Sequence, residues 1–405
     1  MGPVLDPGSP RGIVYATAMG SNVVDVDGNR YVDLAAGFGA QLVGHRHPHI
    51  ARVLGIQSER LWQALGDLYP ADAKIGLSEK LSALFPEPDA QTLLGQSGAD
   101  AITAALKTCL LFTGKPGVIA FGGSYHGLSY APLAASSLRA SYSEPFVEQL
   151  NRHVAFVDYP SSGAELDASL SAAQRLLATG GVGAVLVEPI LGRGGVIVPP
   201  GGFVAELGRL AREHGALLVA DEIWTGLGRA GRWLFSTASG FVPDLVCLGK
   251  GLGGGLPVSA LVGRRDVMQA WRKEREVVHT STFTGAPLAA ATAVATLDIL
   301  SREGLPERAA ELGARWLPAL SDAAARVSPS IEVRGAGLMV GIDLRERGGS
   351  ALLLHQALLR RGYLTTTGGG AREVLVLTPP LTIDEQLLFG FVEAFSESLH
   401  AISGG

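Results

Sequence analysis

Cysteine is nearly missing from this chain of 405 residues: there are two, Cys109 and Cys247, each among apolar neighbours. Two are too few for a disulfide framework or a cysteine-ligated metal centre, so the expectation is a reducing, cytoplasmic setting with no metal. Lysine is scarce as well. Six lysines and a net charge of -5 leave no basic face of the kind nucleic acid requires. Charged residues make up 18% of the chain against 47% hydrophobic ones, the balance of a globular protein with room for a buried subunit contact. Long apolar runs are also lacking. No stretch reaches the roughly 18 uninterrupted apolar residues of a membrane span. The start, Met1-Gly-Pro-Val-Leu-Asp6, has neither a basic nor an apolar region, and no signal peptide is expected.

The scarcity of lysine makes one of them conspicuous. Lys250 ends the apolar run Asp244-Leu-Val-Cys-Leu-Gly-Lys250, opens the turn Gly251-Leu-Gly-Gly-Gly255, and is the only lysine between Lys115 and Lys273. A cation at the mouth of a buried strand is costly unless paired or covalently engaged. Desolvation lowers an amine's pKa and makes it a nucleophile. The use this suggests is a Schiff base with an aldehyde, above all pyridoxal phosphate. The plain alternative is a lysine snorkelling at a strand end.

The chain is long enough for two domains. Asn22–Val26 and Tyr31–Leu34, joined by Asp27-Gly28-Asn29, read as a strand pair. From about Leu93 to Gly263, short apolar runs alternate with amphipathic stretches. The runs are Gly117–Phe121, Val154–Val157, Ala184–Glu188, Leu217–Asp221, Leu245–Leu248 and Val258–Val262; Phe203 to His214 is one of the helical stretches. Buried strands separated by helices predict a mostly parallel α/β sheet with right-handed crossovers. After a helix from about Pro287 to Leu300 the last hundred residues read as helices on a small sheet that includes Ile331–Arg334 and Leu338–Ile342. The expected division is residues 1–45 as a segment joining the small domain, 46–295 as the large domain, and 296–405 as the small α+β domain.

Ligands bind beyond the carboxyl ends of strands in such sheets. Glu188, Asp221 and Lys250 each follow an apolar run, so all three are directed to one crevice. Each alone could merely cap a helix. Ser97-Gly-Ala-Asp100 precedes an amphipathic run with Ile102, Ala105, Leu106, Cys109 and Leu110 on one face. Its amides and helix dipole suit a phosphate, though by itself it is an ordinary helix cap. Tyr125 and His126, in Gly122-Gly-Ser-Tyr-His-Gly127, follow a strand end where a ring can stack on a pyridine. Gly249-Lys-Gly-Leu-Gly-Gly254 matches the GxGxxG dinucleotide pattern. That pattern needs a helix directly after it, and Pro257 with the strand-like Val258–Val262 stands there instead.

In order along the chain, Asp25–Asp33, Gly44-His-Arg-His-Pro48, Ser97–Asp100, Ser124–Gly127, Val187-Glu-Pro-Ile190, Asp221-Glu-Ile-Trp-Thr-Gly-Leu-Gly-Arg229, Lys250, Thr280-Ser-Thr-Phe-Thr-Gly-Ala-Pro287 and Pro379-Pro-Leu381 resemble the class III, ornithine and 4-aminobutyrate type, aminotransferases. These are pyridoxal-phosphate enzymes of fold type I. The resemblance covers nearly the whole chain. It implies that Lys250 carries the cofactor as a Schiff base and moves the substrate proton, and that Asp221 keeps the pyridine nitrogen protonated. It further implies cofactor contacts from Ser97, Gly98, Ala99, Tyr125, His126, Glu188 and Trp224. Thr282 would reach the phosphate across the interface of a homodimer.

The departures from the family pattern gather where substrate is chosen. Val376 stands where members using alpha-amino acids have an arginine, and Leu128 where some 4-aminobutyrate-type members have another. Arg193 replaces a glutamate, and Trp224 a glutamine. The expectation is an apolar pocket of Phe38 and Trp224 with Arg193 as a relocated anion clamp; the alternative is that Arg193 pairs with a surface carboxylate. The function implied is ping-pong transfer of an amino group from an amine or omega-amino acid to a keto acid or aldehyde. A racemase, epimerase or aminomutase of the same fold is the nearest alternative, and a non-catalytic binding protein a remote one.

Overall fold

The computed structural model describes residues 12–66, 68–273, 276–347 and 351–403. Among them, three sheets are built from β1 (Tyr15–Met19), β2 (Asn22–Asp25), β3 (Arg30–Asp33), β4 (Gln91–Gly95), β5 (Gly117–Phe121), β6 (Val154–Val157), β7 (Val182–Val187), β8 (Leu217–Asp221), β9 (Leu245–Leu248), β10 (Ser259–Gly263), β11 (Glu332–Ala336), β12 (Met339–Asp343), β13 (Tyr363–Leu364), β14 (Thr366–Gly368) and β15 (Val374–Leu377).

The largest sheet has the order β4-β10-β9-β8-β7-β5-β6. β9, β8, β7, β5 and β6 run parallel, and only β10 is reversed, pairing antiparallel with both β9 and β4. The continuous apolar runs are explained by burial of both faces. Along β7, Ala184 and Leu186 pack with Ile102, Ala105 and Cys109 of the helix Gly98–Thr113. Val185 and Val187 pack on the opposite side with Leu177 and with Phe203, Leu207 and Leu210 of the helix Phe203–Glu213. The two-residue period of a strand thus serves two helical layers at once.

The helix Gly98–Thr113 sits differently from its apolar pattern. Leu110 is exposed, while Ala101, Ala104 and Thr108 join the buried face. Small side chains let the helix lie close to the sheet, which turns the larger Leu110 outward. β4, at the sheet edge, and β1 escape a reading based on apolar runs because neither has one.

β3 pairs antiparallel with β2 and parallel with β13, so the first residues and the last third of the chain share one sheet. The third sheet, β11-β12-β15-β14, is antiparallel and carries the helices Leu305–Ala325 and Glu385–Ser403 nearby. Trp316 is fully buried there, 6.1 Å from the Phe391 ring. One apolar cluster runs without a break from Leu34 through Leu248 to Leu312 and Phe395. No helix among the described residues is long and apolar enough to cross a membrane.

Candidate active site

Three neighbouring parallel strands, β7, β8 and β9, end at the same edge of the large sheet, and the polar residues at their ends meet there. Past β9 the backbone turns sharply: Lys250 has φ of 42°, and a single 3-10 turn, Lys250–Gly253, leads on to β10. No α-helix follows the glycines, so the dinucleotide pattern is a coincidence of spelling. A side chain at Gly251 would lie 2.7 Å from Leu42 Cβ, which explains that glycine. Lys250 Nζ lies 4.7 Å from the centre of the Trp224 ring. Burial lowers its amine from the ordinary 10.5 to about 8; Asp221 and Glu188 oppose the shift and Arg193 adds to it.

Asp221 Oδ2 is 2.7 Å from His126 Nδ1, and its Oδ1 accepts from the Ile223 amide at 3.1 Å. With Nδ1 directed at the carboxylate, His126 Nε2 is left buried and without a partner among the described residues. The His126 amide donates to Ser136 Oγ at 2.8 Å, which fixes the loop that carries the ring. Glu188 accepts from the Tyr125 amide at 2.8 Å and from the Gly192 amide at 2.9 Å. It therefore ties the loop holding Tyr125 to the loop holding Arg193. Burial raises its carboxyl above the usual range, with the His126 ring pulling the other way.

These residues line a cavity of about 280 Å³ together with Gly98 and Ala99, the first residues of the helix Gly98–Thr113. Ser97 caps that helix by accepting from the Asp100 amide at 3.2 Å, and Asp100 reaches back to the Gln96 amide at 3.0 Å. Helix-start amides lining a cavity are suited to an anion. A Cβ on Gly98 would meet Ile223 Cδ1 at 2.8 Å, so the backbone approaches this closely only as glycine. Ile223, two residues past Asp221, carries no sequence signal of this role: an isoleucine there has the look of core. Tyr125 also lines the cavity and is braced edge-on by Tyr142, with ring centres 6.2 Å apart; Arg139 holds Tyr142 through its hydroxyl at 3.1 Å. That bracing, from residues up to 17 positions away, has no local sequence signal.

Arg193, also in the cavity lining, lies 4.9 Å from the Tyr125 ring centre and 5.9 Å from that of Phe38, which is more than half exposed. Its guanidinium has no carboxylate partner among the described residues, contrary to the surface-pair alternative. Leu128 lines the cavity as well. Val376 is buried in an apolar cluster with Trp224, Met339, Ile190 and Val196. Thr282 is exposed and does not line this chain's own cavity; its carbonyl accepts from Gln63 Nε2 at 2.8 Å. No group of three or more His, Cys, Asp or Glu among the described residues could hold a metal ion.

Comparison with known proteins agrees with this arrangement. An acetylornithine aminotransferase of Mycobacterium tuberculosis is 36% identical over 396 residues, covering 97% of this chain and 93% of the relative. A putrescine aminotransferase of Pectobacterium atrosepticum is 34% identical over 407 residues, covering 98% and 84%. Among solved structures, the PLP-bound amine transaminase of an uncultivated Pseudomonas species superposes with a TM-score of 0.90 at 27% identity, over 100% of this chain and 98% of that one. The architecture is thus that of fold type I. The family model for class-III aminotransferases matches residues 6–399, and the chain belongs to that family of enzymes.

Proposed function

We propose that this enzyme is a pyridoxal-phosphate-dependent aminotransferase that takes the amino group of an amine or omega-amino acid and passes it to a keto acid or aldehyde. The observation that carries this is the meeting of Lys250, Asp221 and Glu188 around one cavity, with an amine pushed to about 8 facing a histidine-braced carboxylate. When bound, the cofactor supplies an aldehyde for attachment and a conjugated ring that accepts the electron pair released at the substrate carbon.

This chain's residues fit that group. The Gly98 and Ala99 amides, beside Ser97, would hold its phosphate; the glycine at 98, which Ile223 requires, makes the close approach possible. Tyr125 and Ile223 line the space its ring would occupy. Asp221 would be the charge partner of its ring nitrogen, and His126 fixes that carboxylate in place. Lys250 would be the amine that attaches it and the group that moves the proton at the substrate carbon. Glu188 keeps the two flanking loops in register. Phe38, Arg193 and Trp224 contact the substrate.

The assembly we infer is a homodimer in which Thr282 of a second copy completes the phosphate site, within a large domain of residues 46–295 and a small domain of 296–405 joined by residues 1–45. A cytoplasmic setting suits the two buried free cysteines. The absorbance spectrum of the purified enzyme tests the reading. The expected result is a band near roughly 410–430 nm that borohydride abolishes and that amine donors alone shift toward about 330 nm. A protein that takes up no pyridoxal phosphate overturns it, and a band that no donor converts favours an isomerase.

A further inference from the structure

The backbone around Tyr125 is pinned by nearby hydrogen bonds, from the Tyr125 amide to Glu188 and from the His126 amide to Ser136. The ring of Tyr125 depends on side chains instead. Tyr142 meets it edge-on, with centres 6.2 Å apart, and the Arg193 guanidinium lies over it at 4.9 Å. Both of these residues are held by one short turn, between β14 and β15 of the third sheet. Arg139 makes the first connection with three nitrogens of a single guanidinium. Nε donates to the Gly370 carbonyl at 2.8 Å, Nη2 to the Gly369 carbonyl at 3.0 Å and Nη1 to the Tyr142 hydroxyl at 3.1 Å. A planar fork with fixed donor directions suits such a three-way link. The Gly369 amide makes the second connection, donating to the Arg193 carbonyl at 2.9 Å. The turn itself is firmly built. Gly369 has φ of 86°, and a Cβ there would lie 2.5 Å from the Glu373 carboxyl carbon. That carboxylate is buried and accepts from the Ala371 amide at 2.8 Å, which folds the turn around it. From β11 of the same sheet, Arg334 donates to the Gly195 carbonyl through Nε and Nη2 at 3.0 and 2.9 Å. The third sheet thus grips the Arg193 loop at two points.

We propose that Arg139 is a positioning residue: it clasps the β14–β15 turn and, through Tyr142, sets the ring of Tyr125 for the pyridoxal ring. Arg139 does not itself line the cavity. It acts from outside, by joining the turn of the third sheet to the residue that braces Tyr125. An edge-on aromatic pair has a preferred geometry, so holding Tyr142 fixes the tilt of Tyr125 as well as its place. This role rests on the reading of the cavity as a pyridoxal-phosphate site.

Titration of pyridoxal phosphate into the apoprotein gives the dissociation constant, and circular dichroism of the bound cofactor's band reads the tilt of its ring. Arg139→Ala and Tyr142→Leu are each expected to weaken binding about tenfold and to lose most of that dichroism. In the double variant the loss stays at about tenfold, because Arg139 acts through Tyr142. Arg139→Lys keeps one carbonyl partner and falls between, about threefold weaker than wild type. In the apoprotein, with no cofactor present, Arg139→Ala speeds hydrogen exchange at the Gly369 amide about tenfold. The role is overturned if Arg139→Ala keeps wild-type affinity and dichroism, or if Gly369 exchange is unchanged. It is overturned equally if the two losses multiply to about a hundredfold, since Arg139 would then act elsewhere. Should Arg139→Ala fail to fold, Arg139→Lys and Tyr142→Phe, which keeps the ring and removes the hydroxyl, decide it: wild-type values in both overturn the role. A wild type that binds no pyridoxal phosphate, with Gly369 exchange still dependent on Arg139, counts instead against the cofactor reading alone.

Discussion

Lys250 carries a cost that can be measured at the scale of one residue. Burial takes its amine from 10.5 to about 8, a penalty on the order of 3 kcal/mol when the group is charged. Below about 8 the amine is protonated in both the folded and the unfolded chain, so the penalty is felt in full. Between about 8 and 10.5 the unfolded chain keeps a proton that the folded chain has lost, and stability rises with pH across that window. Lys250→Met, which keeps the stem and removes the charge, is therefore expected to melt above the cofactor-free wild type at neutral pH. Calorimetry at stepped pH should show the gap narrowing toward pH 10, about the top of the window; a constant gap would mean that the amine is not desolvated. The sequence announced this residue through its isolation among apolar neighbours. It did not announce Ile223 or Tyr142, whose roles depend on what lies opposite them.

Elements set the accuracy of the site. The helix Gly98–Thr113 can bring its first amides to the cavity only because position 98 has no side chain to strike Ile223. Gly98→Ala is expected to weaken cofactor binding by about 1–3 kcal/mol, the range for overpacking a tight contact. A fluorescence titration of cofactor into the apoprotein measures this, with the melting temperature as a check that the fold survives. In the helix Leu305–Ala325, Trp316 fills the space against Phe391. Trp316→Ala should cost about 3–5 kcal/mol in a denaturant titration. A much smaller loss would show that neighbouring side chains collapse into the hole. Elsewhere, Arg229 shows how an element can be tethered from inside: it is fully buried, and Nη1 donates to the carbonyls of Leu338 and Pro379, at 3.0 and 2.5 Å. No carboxylate among the described residues pairs with it, and burial lowers its guanidinium to about 9.

At the scale of the whole molecule, the apolar surface is unevenly spread. Trp62, Leu65, Leu68 and Tyr69 are all more than 60% exposed, and the Gln63–Thr282 hydrogen bond joins that segment to the exposed Phe283. Exposed apolar area of this kind suits the subunit interface of the homodimer proposed above. For the homodimer proposed above, Leu68→Glu is expected to shift dimer to monomer in sedimentation and to reduce cofactor retention, because the proposed contribution of Thr282 to a neighbouring site would be lost. A dimer that persists with full cofactor content would place the interface elsewhere. By itself, the sequence determined the parallel core and the reactive cluster. Apolar runs of strand length flanked by amphipathic helices permit few other arrangements, and Glu188, Asp221 and Lys250 stand where the topology must expose them. Motif order further determined the family. Tertiary structure decided β4 and β13, which are held by β10 and β3 far away in the chain, whereas β1 and β14 pair with the neighbouring strands β2 and β15. It also decided that Leu110 faces outward, that Trp224 lies in a slot between Gly39 and Gly192, and that Arg193 stands stacked on Tyr125 with no carboxylate partner among the described residues. Local sequence sets what a segment prefers, but the shape and charge of a pocket come from contacts between residues that the chain keeps far apart.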